Sequence, residues 1–367
     1  MQPTTLSAPA DAAAATEALT ERLFGAALGA FDLFSAYLGD RLGYYAVLAA
    51  DGPLTPPELA RRTGTHPRYA REWLEQQATS GLLAVEDASA APDARRFYLP
   101  AGHDAVLADA EHLDFLVPMA QAFVGAVSPL PAVLRAYRTG EGLPFDAYGE
   151  DMLEGQARMN RNLFLQQLGQ EYLPQLPDVH RRLTDGRPAR VADVGCGAGW
   201  SAIGLALAYP HVEVDGYDLD ALSIEAAQVN ARAYGVADRV RFHHGDAAEA
   251  DGRYDLVTAF ECVHDMSHPV PVLETMRGLA ADGGAVLVMD ERVGEAFTPE
   301  ADAVERLMYG WSLFHCLPSG MCGHAPAGTG TVMRADTLRR YAGEAGFRET
   351  EVLPLEHPFF RFYRLHA

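Results

Sequence analysis

Apolar residues recur at helical spacing from Thr16 onward, at Leu19, Leu23, Ala27, Phe31, Phe34 and Leu38. The stripe predicts a long helix with more apolar surface than one small domain buries, so a self-association face is expected. Residues 1–15, rich in Ala, Pro and Thr, read as a disordered tail. Thr55-Pro-Pro-Glu58 has the form of a capping box with proline where a missing N–H costs nothing. Thr65 opens a further helix that Gly81 stops, and Leu82–Val85 with Arg96–Leu99 read as a short hairpin. Helices followed by a hairpin predict an all-α winged-helix domain over residues 16–104. Residues 105–185 read as helical, with Gly/Pro breaks near Pro129–Pro131 and Gly140–Pro144, and predict a connector that covers a pocket.

From residue 186 to residue 367 the period switches between two and 3.6, which predicts an α/β domain with a parallel sheet covered on both faces. The β-branched run Val191–Val194 enters the turn Gly195-Cys-Gly197-Ala-Gly199, and a helix follows from Trp200 to Ala208. A second strand, Val212–Asp218, ends on an acid about 20 residues past the glycines, where a ribose diol is usually held. After a helix over Leu222–Tyr234, the strand beginning at Arg239 ends in Gly245-Asp246, an acceptor suited to an exocyclic amine. Strands over Tyr254–Phe260 and Ala285–Asp290 follow, then a terminal antiparallel pair, Glu351–Leu355 and Phe359–Leu365.

Composition narrows the chemistry. The 367 residues carry a net charge of −21, and all 29 basic residues are arginine. A body this acidic repels phosphate backbones and anionic headgroups, so nucleic acid and membrane partners are not expected. The would-be recognition helix sets Arg68 and Arg71 against Glu72 and Glu75, which disfavours DNA binding and favours packing or dimerisation. Without lysine, Schiff-base, pyridoxal-phosphate and Walker-A chemistry are excluded. Four cysteines without a CxxC pair, no signal-peptide pattern and no spanning apolar run predict a cytoplasmic protein.

The order Asp193-x-Gly195-x-Gly197-x-Gly199, the strand-end acids and the terminal hairpin resemble the class I S-adenosylmethionine-dependent methyltransferases. A nicotinamide dehydrogenase usually has a GxGxxG with a later third glycine. The resemblance extends to the whole plan, since dimeric bacterial small-molecule methyltransferases join a winged-helix domain, a helical connector and a Rossmann-like seven-stranded sheet. It implies S-adenosylmethionine as cofactor, a small-molecule acceptor and a homodimer through the N-terminal domain. It also implies cofactor contacts at Asp193, Gly195, Gly197, Gly199, Asp218 and Asp246, with Leu219, Gly245, Ala247 and Phe260 beside them.

Candidate chemistry sits past the fourth strand of the sheet, in Phe260-Glu261-Cys-Val-His264-Asp265. One reading makes His264 the general base for an O–H or N–H acceptor, oriented by Asp265 or Glu261. The other follows a narrower resemblance, to α-keto acid C-methyltransferases of peptide-antibiotic pathways. There, one histidine in a His-Asp step and a second on the helix after the fifth strand hold iron or zinc, which the 2-oxo acid chelates. His264 and His315 match those positions, the latter past a helix expected over Ala301–Leu313, and Glu261 could complete two-His-one-carboxylate ligation. A non-catalytic S-adenosylmethionine-sensing regulator is the alternative outside enzymology.

Overall fold

The first helix starts earlier than the sequence predicts. In the computed structural model, which describes residues 9–367, it runs Pro9–Arg41. The run Ala12–Ala15 has the highest helix propensity of any residue type, so the part of the expected tail that is described is already helical. Residues 1–8 of that tail lie outside the described residues.

The chain divides at Val124/Gly125 into two compact units, so the expected connector over 105–185 is shared between them. In the first unit, Thr55 caps helix Pro56–Thr63 through the predicted box, with Thr55 N–H donating to Glu58 at 2.9 Å. Helix Pro67–Thr79 follows, capped by His66 rather than opened by Thr65. The wing is shorter than expected: β1, Ala84–Val85, pairs antiparallel with β2, Phe97–Tyr98, and Leu54 bridges to Phe97. Tyr44, Tyr45, Leu48, Leu59, Leu74 and Phe97 form the core of this unit. Helix Pro9–Arg41 leaves Leu23, Phe24 and Phe31 more than 60% exposed.

The second unit is built on seven strands: β3 Ala189–Val194, β4 Val212–Asp218, β5 Val240–His244, β6 Tyr254–Phe260, β7 Ala280–Glu291, β8 Glu349–Val352 and β9 Phe360–His366. Their order is β5-β4-β3-β6-β7-β9-β8. All run parallel except β9, which inserts between β7 and β8 and opposes both. The parity of β7 shows why its apolar run is continuous. Ala285, Leu287 and Met289 pack on the face shared with helix Trp200–Ala208, while Val286 and Val288 pack on the opposite face with Leu338. Each of the Val, Leu and Met side chains among them contributes about 1.5–3 kcal/mol.

Two segments wind as π-helix, Phe164–Tyr172 and Ser312–Cys316. The second departs from the expected helix, which spans only Ala303–Trp311 before the wider turn that carries His315. Single π turns inside helices are frequent at functional sites. All four cysteines are unpaired. Among the described residues, no single helix is long and apolar enough to cross a membrane.

Candidate functional site

Strand order reverses at β3, whose neighbours are β4 and β6, and a crevice opens beyond the carboxyl ends of strands at such a switch. The crevice here is a cavity of about 680 Å³. Of the residues expected to contact a cofactor, Gly195, Gly197, Asp218, Leu219, Gly245, Asp246, Ala247 and Phe260 all stand on its wall. Asp193 and Gly199 do not. Asp193 is 1% exposed and accepts hydrogen bonds from Ser201 Oγ at 2.5 Å and Thr258 Oγ1 at 2.7 Å, so it ties the glycine turn to β6 from behind. Burial pushes its carboxyl up to about 6, against the pull of those two hydroxyls. Gly199 has φ +81°, and a Cβ there would meet Phe242 Cζ at 2.5 Å, so its hydrogen is a packing requirement.

Asp218 holds the turn open to the cavity. Its Oδ2 accepts from Gly197 N–H at 2.8 Å and its Oδ1 from Asp220 N–H at 2.9 Å. Burial raises its carboxyl, with these amides working against the rise. A carboxylate has about four lone-pair sites, so two acceptors remain for a diol. Asp246 accepts from Ala248 N–H at 2.9 Å and likewise keeps acceptor capacity. Leu219, 70% exposed, gives the rim an apolar surface for a flat ring. Asp146, Asp218, Asp220, Asp246, Glu261 and Asp265 line the wall, and among the described residues no arginine does.

Past β6, Glu261 adopts φ +54°, a conformation costing a non-glycine residue roughly 1–2 kcal/mol and held here by Glu261 N–H donating to Met289 O at 2.8 Å. Its Oε2 accepts from Asn160 Nδ2 at 2.9 Å, while Oε1 is buried without a partner. Burial pushes its carboxyl up to about 7. Asp265 is on the wall too, and burial raises it to about 6.

His264 is not on the wall. It is 3% exposed, with Nδ1 donating to Asp290 Oδ1 at 2.7 Å and lying 3.0 Å from Glu291 Oε2. Burial alone would favour the neutral ring, but Glu291 and Asp290 overcome it and hold the imidazole protonated. A cation held in this way is a poor general base. The expected set of His264, His315 and Glu261 is not the cluster that the described residues bring together. Glu261 accepts from Asn160 through Oε2 while its Oε1 and His315 Nε2 are buried without partners, and the Cys316 thiol hydrogen-bonds His264 while lying 3.5 Å from His315 Nδ1. His315 is neutral, pushed down to about 3 by burial and by His264, and packs edge-on against Phe145 and Tyr148.

Among the described residues the one cluster of three metal-ligating groups is His264, Asp290 and Glu291, with ligand atoms within 4.8 Å of one another. The cluster holds its own cation, the His264 imidazolium, against Asp290 Oδ1 and 3.0 Å from Glu291 Oε2. Burial, acting before the nearby charges, raises Glu291, while the imidazolium outweighs burial and lowers Asp290. Two acids ending the buried run Ala285–Glu291 carry the same strand-end signal that marked Asp218, and sequence reasoning passed over them. It gave no site role to Gln156 and Asn160, whose spacing on helix Glu150–Leu163 puts them on one face beside Leu153 and Ala157, all on the wall.

Residues 164–352, just over half of the chain, match the sequence profile of a family described as "Methyltransferase domain". Residues 29–109 match an "Rv2258c-like winged HTH domain". Over 106 residues the chain is 29% identical to norajmaline N-methyltransferase of Rauvolfia serpentina, covering 28% of this chain and 36% of that protein. Over 181 residues it is 27% identical to ubiquinone biosynthesis O-methyltransferase of Aromatoleum aromaticum, covering 48% and 71%. Of the first relative the chain thus spans only about a third. The solved structure of mitomycin 7-O-methyltransferase MmcR superposes with a TM-score of 0.68 at 20% identity, over 98% of this chain and 100% of that one, which establishes a shared fold.

Proposed function

Because the chain belongs to the methyltransferase-domain family, with a winged helix ahead of that domain, we propose that it moves the methyl group of S-adenosylmethionine onto an oxygen or nitrogen of a small molecule. The observation that carries this reading is the cavity at the strand switch, where the glycine turn, Asp218 and Asp246 meet on one wall. The residues fit such a cofactor: Gly197 presents no side chain, Asp218 has spare acceptors, and Leu219 offers an apolar rim. When bound, S-adenosylmethionine supplies a methyl group already activated on a sulfonium cation. An acidic wall suits that cation.

The chain's own task is then placement and proton removal. Of the three expected catalytic residues, His264 as base with Asp265 or Glu261 to orient it, Glu261 and Asp265 stand on the wall, and their raised carboxyls titrate near neutrality. We assign the proton to Asp265, with His264 behind it as a fixed positive charge that keeps it ionisable. Metal-assisted C-methylation of a 2-oxo acid finds less support, because the ligating groups that the described residues bring together are His264, Asp290 and Glu291, and an anionic substrate would face an acidic wall.

We infer a homodimer from the exposed apolar residues of helix Pro9–Arg41. Calorimetric titration with S-adenosylmethionine tests the central reading. Wild type is expected to bind it, and Asp218→Ala, which strips both charge-assisted amide bonds, is expected to weaken binding at least ~10-fold. Equal affinity in that variant removes the cofactor assignment.

A further inference from the structure

Besides the strand ends, the cavity wall includes two stretches far apart in the chain, one with Pro144, Phe145 and Asp146 and one with Ser319 and Cys322. They meet main chain to main chain. Leu143 N–H donates to Pro318 O at 2.9 Å. Beside that bond, a Cβ on Gly142 would lie 2.5 Å from Met321 C and 2.6 Å from Cys322 Cα, nearer than a packed interior allows. The φ of Gly142 is not left-handed, so its backbone would accept any L-residue. What bars a side chain there is the approach of residues 321 and 322.

The second stretch is docked at the same time to the residues after β6. A Cβ on Gly320 would lie 3.2 Å from Asp265 O, and Ala327 N–H donates to Ser267 O at 2.8 Å. It therefore spans from Asp265, to which the proton is assigned, across to the segment that carries Phe145 and Asp146. The seam at Gly142 has no slack. A side chain there must part the two stretches, and both carry wall residues, so the cavity widens whichever of them yields.

We propose that Gly142 determines acceptor specificity: its bare main chain lets Ser319 and Cys322 close in toward Phe145 and Asp146, which limits how far an acceptor at Asp265 extends. The inference rests on the methyltransferase reading and adds to it the acceptor class, a compact molecule without negative charge. Size follows from the seam. Charge follows from Asp146, Glu261 and Asp265 on the wall, where among the described residues no arginine stands to meet an anion.

The test compares wild type with Gly142→Ala, which inserts a side chain into the seam, and Leu143→Pro, which removes the N–H that Pro318 O accepts. Calorimetry measures S-adenosylhomocysteine first, then 4-ethylphenol and the longer 4-phenylphenol with S-adenosylhomocysteine saturating. Wild type is expected to favour 4-ethylphenol at least ~10-fold, and each variant to erase that preference by gaining affinity for 4-phenylphenol. S-adenosylhomocysteine affinity is expected to be unchanged in Gly142→Ala, because residue 142 is not on the wall. A wild type that binds both phenols equally, or neither, overturns the assignment, as do variants that keep the wild-type preference. The two variants act on different atoms of the seam, so a folding defect in one leaves the other to decide. If wild type binds no S-adenosylhomocysteine, the methyltransferase reading falls, and the phenol titrations run without it still decide whether Gly142 limits the cavity.

Discussion

Asp193 gives the molecule a pH dependence of unusual sign. Its carboxyl ordinarily titrates near 3.8, and in the folded chain burial raises it to about 6. The folded state therefore holds its proton more tightly than the unfolded chain does. The stability from this group is fully present below about 3.8 and is lost as pH rises through about 6. A gap of about two units at ~1.36 kcal/mol each makes the loss about 3 kcal/mol, of which roughly 2 kcal/mol falls between about pH 4.5 and pH 7.5. Asp193→Asn removes the ionisation and keeps the shape. One amide oxygen still accepts from Thr258, and the Ser201 hydroxyl can turn to accept from the new NH2. Urea unfolding of both proteins at the two pH values is the assay. The variant's stability relative to wild type is expected to rise by roughly 2 kcal/mol from the lower pH to the higher one. Glu261 and Asp265 are raised as well, so the difference between the proteins, and not the curve of either, isolates Asp193. A stability difference that stays constant across the two pH values refutes the reasoning.

Two further outcomes are expected. Gly199→Ala forces a Cβ to within 2.5 Å of Phe242 and 2.9 Å of Ala227 at φ +81°, and is expected to lower stability by about 2–4 kcal/mol, read from the urea midpoint. Phe24→Glu with Phe31→Glu places charge on the exposed face of helix Pro9–Arg41 and is expected to convert a dimer into a monomer by light scattering; a wild type that is already monomeric at micromolar concentration removes the dimer.

The sheet was readable because both of its faces are buried. The run Val191–Val194 into three glycines, and acids at the ends of Val212–Asp218 and the Arg239–Asp246 segment, follow from local chemistry that needs no knowledge of neighbours. Two features were not readable for a common reason. The position of β9 between β7 and β8 depends on pairing partners, and the direction of His264 depends on Asp290 and Glu291, which lie 26 and 27 positions away in the chain. The metal expectation turned on the same point: the resemblance matched His264, His315 and Glu261 to one ligand set, whereas the ligating atoms that come together are those of His264, Asp290 and Glu291. Helical periodicity also could not distinguish an α from a π turn at Ser312–Cys316, because five residues are too few to separate the two periods.

Asp218 and Asp193 share a raised carboxyl but not a tolerance to change. The side-chain donors to Asp193 are hydroxyls, which swivel between giving and receiving a hydrogen, beside one main-chain N–H from Ala202. The donors to Asp218 are the main-chain N–H groups of Gly197 and Asp220, which have no second role. An asparagine at that position would press its NH2 against one of them, whichever way it flips. Around Asp193 two of the donors can turn to meet an isosteric amide, whereas around Asp218 none can, and the rotatable O–H bond is what separates them.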